Sequence, residues 1–126
     1  MTIRTVIVDD EPPAREKIRS FLARESDVEV IAECGDGPEA VDVIQAEEPD
    51  LLFLDIEMPG LDGLEVVDRV GSEKMPLTVF VTAFDRYAVQ AFERHAIDYL
   101  LKPFDHSRFH RTLSQVRKQL ERPGNG

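Results

Sequence analysis

The sequence predicts a doubly wound α/β domain, a five-stranded parallel sheet with helices on both faces. Three observations lead there. Short β-branched or aliphatic runs alternate five times with segments whose apolar residues recur at helical spacing, the pattern of a parallel sheet with right-handed crossovers. The third run, Leu51-Leu52-Phe53-Leu54, is apolar at every position, as a strand must be when helices cover both of its faces. Four of the five runs lead into polar groups, namely Asp9-Asp10, Asp55, Thr82 and Lys102. These fall at the carboxyl edge, where open α/β sheets bind ligands.

The elements follow in order. Ile3 to Val8 is the first strand and closes on Asp9-Asp10-Glu11. Pro12 and Pro13 suit the first turn of a helix, in which Ala14, Ile18, Phe21 and Leu22 form the apolar stripe. Val28 to Cys34 is the second strand, and Gly35-Asp36-Gly37 turns the chain. Pro38 opens helix 2, with Ala40, Val41 and Ile44 inward, before Pro49-Asp50. After the third strand, Met58 to Gly63 is a loop; Asp62 and Glu65 have the spacing of a capping box for helix 3, whose apolar positions are Leu64, Val67 and Val70. Leu77 to Thr82 is the fourth strand, Asp85 is the expected cap of helix 4, and Ala88, Ala91 and Phe92 its inward face. Asp98 to Lys102 is a short fifth strand, and Asp105 caps helix 5, lined by Phe109, Leu113, Val116 and Leu120.

A chain of 126 residues fits one domain and can bury about two thirds of its unfolded surface without metal or disulfide support. The net charge of −10 disfavours sequence-independent binding to nucleic acid or an anionic membrane, since both need clustered basic residues. Cys34 is the single cysteine, so an intramolecular disulfide is excluded and a buried apolar role expected. The opening Met1 to Thr5 lacks the apolar core of a signal peptide, and no run approaches a membrane span. A cytoplasmic location is the expectation.

Chemistry concentrates at the carboxyl edge. Several carboxylates brought together raise one another's pKa unless a cation neutralises them. Oxygen ligands with open positions suit Mg²⁺, which also binds phosphoryl oxygens. A carboxylate beside such an ion can act as nucleophile and form an acyl phosphate, with the Thr82 hydroxyl and the Lys102 ammonium group holding the remaining phosphoryl oxygens.

At these residues the sequence resembles the receiver domains of two-component response regulators, from about Ile3 to Leu120. The resemblance implies a flavodoxin-like sheet of strand order 2-1-3-4-5. It makes Asp9 and Asp10 the acidic pair, Asp55 the phospho-acceptor, Thr82 the switch hydroxyl and Lys102 the lysine of that pattern. Mg²⁺ would be held by Asp10, Asp55 and the backbone carbonyl of Glu57, with Asp9 acting through water. Tyr99 matches the aromatic position that turns inward after phosphorylation, and the Lys102–Pro103 bond would be cis. Asp9 to Arg15, Phe80 to Asp85 and Ile97 to Phe104 resemble the LytR/AlgR group, whose members usually carry a LytTR-type DNA-binding domain. By that resemblance a sensor histidine kinase is the phosphoryl donor. Residues 1–121 are the receiver, 122–126 the start of a linker or a frayed tail, and the chain either part of a longer regulator or a stand-alone receiver. The face of helix 4, strand 5 and helix 5 is then the switching surface and a possible homodimer contact, with Arg86, Tyr87, Arg94, His95 and Asp98 as candidates. Glu57 and Phe84 would shape the site entrance and set the lifetime of the acyl phosphate by excluding water. DNA would be reached only through a missing output domain, and catalysis would be limited to self-phosphorylation and self-dephosphorylation.

Other readings are weaker. Gly35-Asp36-Gly37-Pro38-Glu39-Ala40 fits a relaxed dinucleotide fingerprint, but Asp36 and Glu39 would repel a pyrophosphate and Pro38 has no N–H to donate. A Walker A sequence is absent. His106 and His110 are four apart on helix 5, without an evident third metal ligand. Asp55 and Glu57 loosely mimic the paired acids of haloacid-dehalogenase phosphatases, which instead carry the nucleophile on the first strand. A degenerate receiver acting as an interaction scaffold is the remaining alternative.

Overall fold

The computed structural model describes residues 2–122. Of the expected tail at 122–126, residues 123–126 lie outside the described residues. The strands are β1 (Ile3–Val8), β2 (Val28–Cys34), β3 (Leu51–Asp55), β4 (Leu77–Thr82) and β5 (Asp98–Leu101). The helices are α1 (Pro12–Leu22), α2 (Gly37–Glu47), α3 (Gly63–Val70), α4 (Ala88–Glu93) and α5 (His106–Glu121). All strand pairs are parallel, in the order β2-β1-β3-β4-β5.

The apolar run of β3 explains its central place. Leu52 and Leu54 pack with α2 and α3 on one face, while Leu51 and Phe53 pack with α1 and α5 on the other. All four are fully buried, worth roughly 1.5–3 kcal/mol each relative to exposure. Phe53 stacks on Phe109 of α5 at 5.3 Å between ring centres, and Phe109 stacks in turn on Phe104 at 5.9 Å. The strand that carries Asp55 is thus clamped from both sides.

Local chemistry sets the helix starts largely as expected. The two prolines lie in the first turn of α1, Asp105 accepts the backbone N–H of Arg108, and Asp62 and Glu65 form a reciprocal capping box; Asp36, expected only as part of a turn, also caps α2 by accepting the Glu39 N–H. Helix α4 departs from expectation. Asp85 does not cap it, because Asp85–Tyr87 form a 3₁₀ turn in which the Asp85 main-chain carbonyl takes the Ala88 N–H. Only Ala91 of the expected inward face is buried; Phe92 is 51% exposed. Strand β5 ends at Leu101, one residue before Lys102.

Candidate functional site

Parallel register brings the polar strand ends together. Val8 pairs with Leu54, Asp55 with Val81 and Thr82 with Leu101, so the residues that close β1, β3, β4 and β5 share one edge. Carboxylate oxygens of Asp9, Asp10 and Asp55 all lie within 4.8 Å of one another. Asp9 and Asp55 are buried, and Asp10 is half-buried. The Lys102 ammonium group donates to Asp9 Oδ2 at 2.8 Å and stands 4.0 Å from Asp55 Oδ2.

Each group has a structural reason for its position. Asp9 Oδ1 accepts the Glu11 N–H at 2.9 Å, while Arg15 of α1 donates to the Asp9 main-chain carbonyl at 2.6 Å. The start of α3 presses directly on Asp55: a Cβ on Gly63 would fall 2.3 Å from the Asp55 main-chain oxygen. Lys102 precedes a cis bond to Pro103, and the following loop is tied to α1 by Lys17, which donates to the Phe104 carbonyl at 2.7 Å. Thr82 is fully buried, its hydroxyl oxygen accepting the Phe84 N–H at 3.3 Å.

Electrostatics single out Asp55. Burial, then the neighbouring Asp9 charge, push its carboxyl up to about 7 from 3.8; Lys102 and the Glu57 N–H pull the other way, and Asp10 adds to the rise. Lys102 behaves differently. Burial disfavours its charge, but the Asp9 hydrogen bond and the Asp55 and Asp9 charges outweigh that penalty, so its pKa rises and it stays protonated. Three converging carboxylates against a single lysine are a donor set that fits a hard divalent cation such as Mg²⁺. An open cleft of about 550 Å³, lined by Asp10, Glu57, Met58, Pro59, Asp62 and Tyr87, leads to it.

The remaining expected residues divide. Tyr99 is half-buried, packs near Phe92 at 6.4 Å, and donates its hydroxyl hydrogen to the Phe84 carbonyl. Phe84 is 37% exposed beside the site. Asp98, expected as a surface contact, is instead buried and taken up by Arg108, Thr112 and the Tyr99 N–H, because β5 turns it toward α5. Arg94 is held by Asp68. His106 and His110 stack at 6.2 Å, and among the described residues no third metal-ligating side chain joins them. Cys34 is fully buried, and burial pushes its thiol up to about 12. Asp55 closes the third strand, not the first, so the haloacid-dehalogenase arrangement is not met.

Sequence reasoning missed three side chains that brace the site and misplaced two others. Arg15, Lys17 and Arg108 look like ordinary helix-surface cations in sequence, and only the fold shows which carbonyls they reach. Arg86 and Tyr87 were expected at a partner surface, yet both bind the Glu57 carboxylate.

Comparison with known proteins agrees with this geometry. The family model described as "Response regulator receiver domain" matches residues 5–114. The transcriptional regulatory protein BtsR of Escherichia coli is 50% identical over 117 residues, covering 93% of this chain and 49% of that protein. An uncharacterised response regulatory protein of Yersinia pestis is 51% identical over 118 residues, 94% of this chain and 50% of that protein. The chain therefore spans about half the length of the curated relatives it matches. Among solved structures, the response regulatory domain of mrkE from Klebsiella pneumoniae superposes with a TM-score of 0.86 at 33% identity, covering 94% of this chain and 98% of that one. The receiver domain of AraT from Geobacillus stearothermophilus gives 0.87 at 36% identity, covering 96% and 97%. With its sheet order, its acidic edge and these matches, the chain belongs to the response regulator receiver domain family.

Proposed function

We propose that Asp55 is the phospho-acceptor of this receiver, taking its phosphoryl group from the phosphohistidine of a sensor histidine kinase. The observation that carries this reading is the crowding of Asp55 with Asp9 and Asp10, opposed by Lys102. Asp10, Asp55 and the Glu57 carbonyl would hold Mg²⁺ directly, with Asp9 through water; when bound, the ion neutralises charge on the transferring oxygens. The Asp55 oxygen attacks phosphorus as the bond to the donor nitrogen breaks, and the imidazole, protonated on its other ring nitrogen in the donor, leaves as the neutral base. Lys102 and Thr82 then bind the phosphoryl oxygens that Asp55 acquires. Thr82 moving toward them would alter the Phe84 peptide that Tyr99 also holds, and so the surface of α4 and β5.

On this reading residues 1–121 are the receiver unit of a cytoplasmic regulator that controls a LytTR-type DNA-binding output. The motif likeness to the LytR/AlgR group supports it, as does the similarity to a protein named a transcriptional regulator. Val89, Phe92 and Leu101, exposed on α4 and β5, support self-association through α4, β5 and α5 in the phosphorylated form.

Intact-mass measurement with acetyl phosphate and Mg²⁺ tests the assignment. One phosphoryl group is expected on the parent and none on Asp55→Asn. Equal labelling of the two would remove Asp55 from the reaction, and turnover of a simple phosphate ester would point to a phosphatase instead.

A further inference from the structure

The Glu57 carboxylate is bound twice from across the cleft. Arg86 Nη2 donates to Glu57 Oε2 at 2.6 Å, and the Tyr87 hydroxyl donates to the same oxygen at 2.5 Å. Arg86 also lies over the rings of Phe84 and Tyr87, at 4.4 and 4.8 Å, which packs the cation between two aromatic side chains of its own segment. The loop after β3 and the segment after β4 are thereby fastened together by side chains.

Both ends of this fastening reach groups of the site. At one end Glu57 lies two residues past Asp55, on the loop that follows β3. At the other, residue 84 joins Thr82 and Tyr99: its N–H bonds the Thr82 hydroxyl oxygen, and its carbonyl accepts the Tyr99 hydroxyl. A continuous chain of contacts therefore runs from Glu57, two residues past Asp55, to Arg86 and Tyr87, and from there to Phe84, Thr82 and Tyr99.

We infer that Arg86 and Tyr87 are positioning residues that clamp Glu57 to the segment after β4 and so hold Phe84 where it fixes Thr82 and Tyr99. The inference rests on Asp55 being the phospho-acceptor. Drawing the Thr82 hydroxyl toward a phosphoryl group on Asp55 displaces residue 84, and displacing residue 84 loosens the clamp. The clamp opposes the rearrangement, and by linkage its removal favours whatever ligand drives that rearrangement. Arg86 and Glu57 are 60% and 39% exposed at their side chains, so solvent screening limits the effect to about fivefold.

The chain has two tyrosines, so 3-fluorotyrosine labelling gives one ¹⁹F signal each for Tyr87 and Tyr99, and Tyr87→Phe assigns them. Three arms are compared with the parent: Arg86→Gln, Tyr87→Phe and Glu57→Gln, with Arg19→Gln as a surface ion-pair control remote from the clamp. Without metal, Arg86→Gln and Glu57→Gln should shift the Tyr99 signal in the direction that beryllofluoride with Mg²⁺ shifts it in the parent. In titrations, all three clamp variants should bind beryllofluoride about two- to fivefold more tightly, the double variant Arg86→Gln/Glu57→Gln no more tightly than either single one, and the control unchanged.

An unmoved Tyr99 signal in both metal-free variants would overturn the clamp, as would additive effects in the double variant. Weaker beryllofluoride binding in Arg86→Gln with tighter binding in Glu57→Gln would overturn it too, by assigning the pair a charge effect alone. If the parent fails to bind beryllofluoride at all, the phospho-acceptor reading falls, while the metal-free Tyr99 comparison still reports on the clamp.

Discussion

Replacing Asp55 by Asn should stabilise the metal-free protein while abolishing its chemistry. In the folded chain the Asp55 carboxyl is pushed up to about 7 from 3.8, first by burial and then by Asp9. The unfolded chain releases this proton near pH 4, whereas the folded chain keeps it to near pH 7, so between those values the folded state binds more protons. Stability contributed by this group is therefore present at low pH and lost as pH rises through the window from about 4 to 7. At about 1.4 kcal/mol per unit, a rise of about three units amounts to roughly 4 kcal/mol above pH 7. Asp9 and Asp10 share the repulsion, so about 2–4 kcal/mol is the expected gain in Asp55→Asn, a large part of a typical total of about 5–15 kcal/mol. Urea denaturation of parent and variant from pH 4 to 8, without divalent metal, measures the difference directly. The gap should open across that window and level off above it; Mg²⁺ should stabilise the parent and leave Asp55→Asn almost unaffected. A variant no more stable than the parent at pH 8, or a gap that does not grow with pH, would refute the crowding account.

Other substitutions probe the supports. Asp98→Ala leaves Arg108 and Thr112 without their buried partner and should cost about 3–5 kcal/mol in denaturant melts. Burial works against the Asp98 charge, but Arg108, Thr112 and the Tyr99 N–H outweigh it and lower its pKa, so its stabilisation is present above pH ~4 and is lost as pH falls below. Gly63→Ala forces a methyl group against the Asp55 carbonyl and should cost about 1–3 kcal/mol and slow phosphoryl uptake from acetyl phosphate. Phe84→Glu should speed loss of the acyl phosphate by up to about tenfold, equivalent to about 1.4 kcal/mol of barrier, in a phosphate-release assay; unchanged hydrolysis would show that the exposed ring does not exclude water.

What was legible in the sequence follows its periodicity. The unbroken apolar run at Leu51 to Leu54 names the central strand because only a doubly covered strand tolerates it, and the polar groups at strand ends then converge by topology. The caps at Asp62 and Asp105 were legible because an N-cap bond spans three residues and needs no knowledge of the rest of the fold. Asp85 has the same local look and failed, since its own main-chain carbonyl took the N–H first. Phe92 failed for a related reason: α4 is only six residues long, too short for periodicity to define a face, and it buries Ala91 alone. Asp98 was read as surface because a charge at a strand start is usually exposed; its partners Arg108 and Thr112 lie 10 and 14 residues away, beyond any local pattern.

The same asymmetry bears on how the site can work. Asp55 rides on a strand with both faces packed, and Gly63, Arg15 and Lys17 brace the loops around it, so a change of charge there cannot be absorbed by moving β3. On the other side of the site the segment from Phe84 to Phe92 buries few side chains and is held chiefly by the Glu57, Thr82 and Tyr99 contacts. Displacement falls where the fewest packed contacts must be broken. With Asp55 as the proposed phospho-acceptor, a rigid strand carrying it, opposed by a lightly held segment carrying Phe84, Val89 and Phe92, would direct a local change of charge outward to an apolar surface.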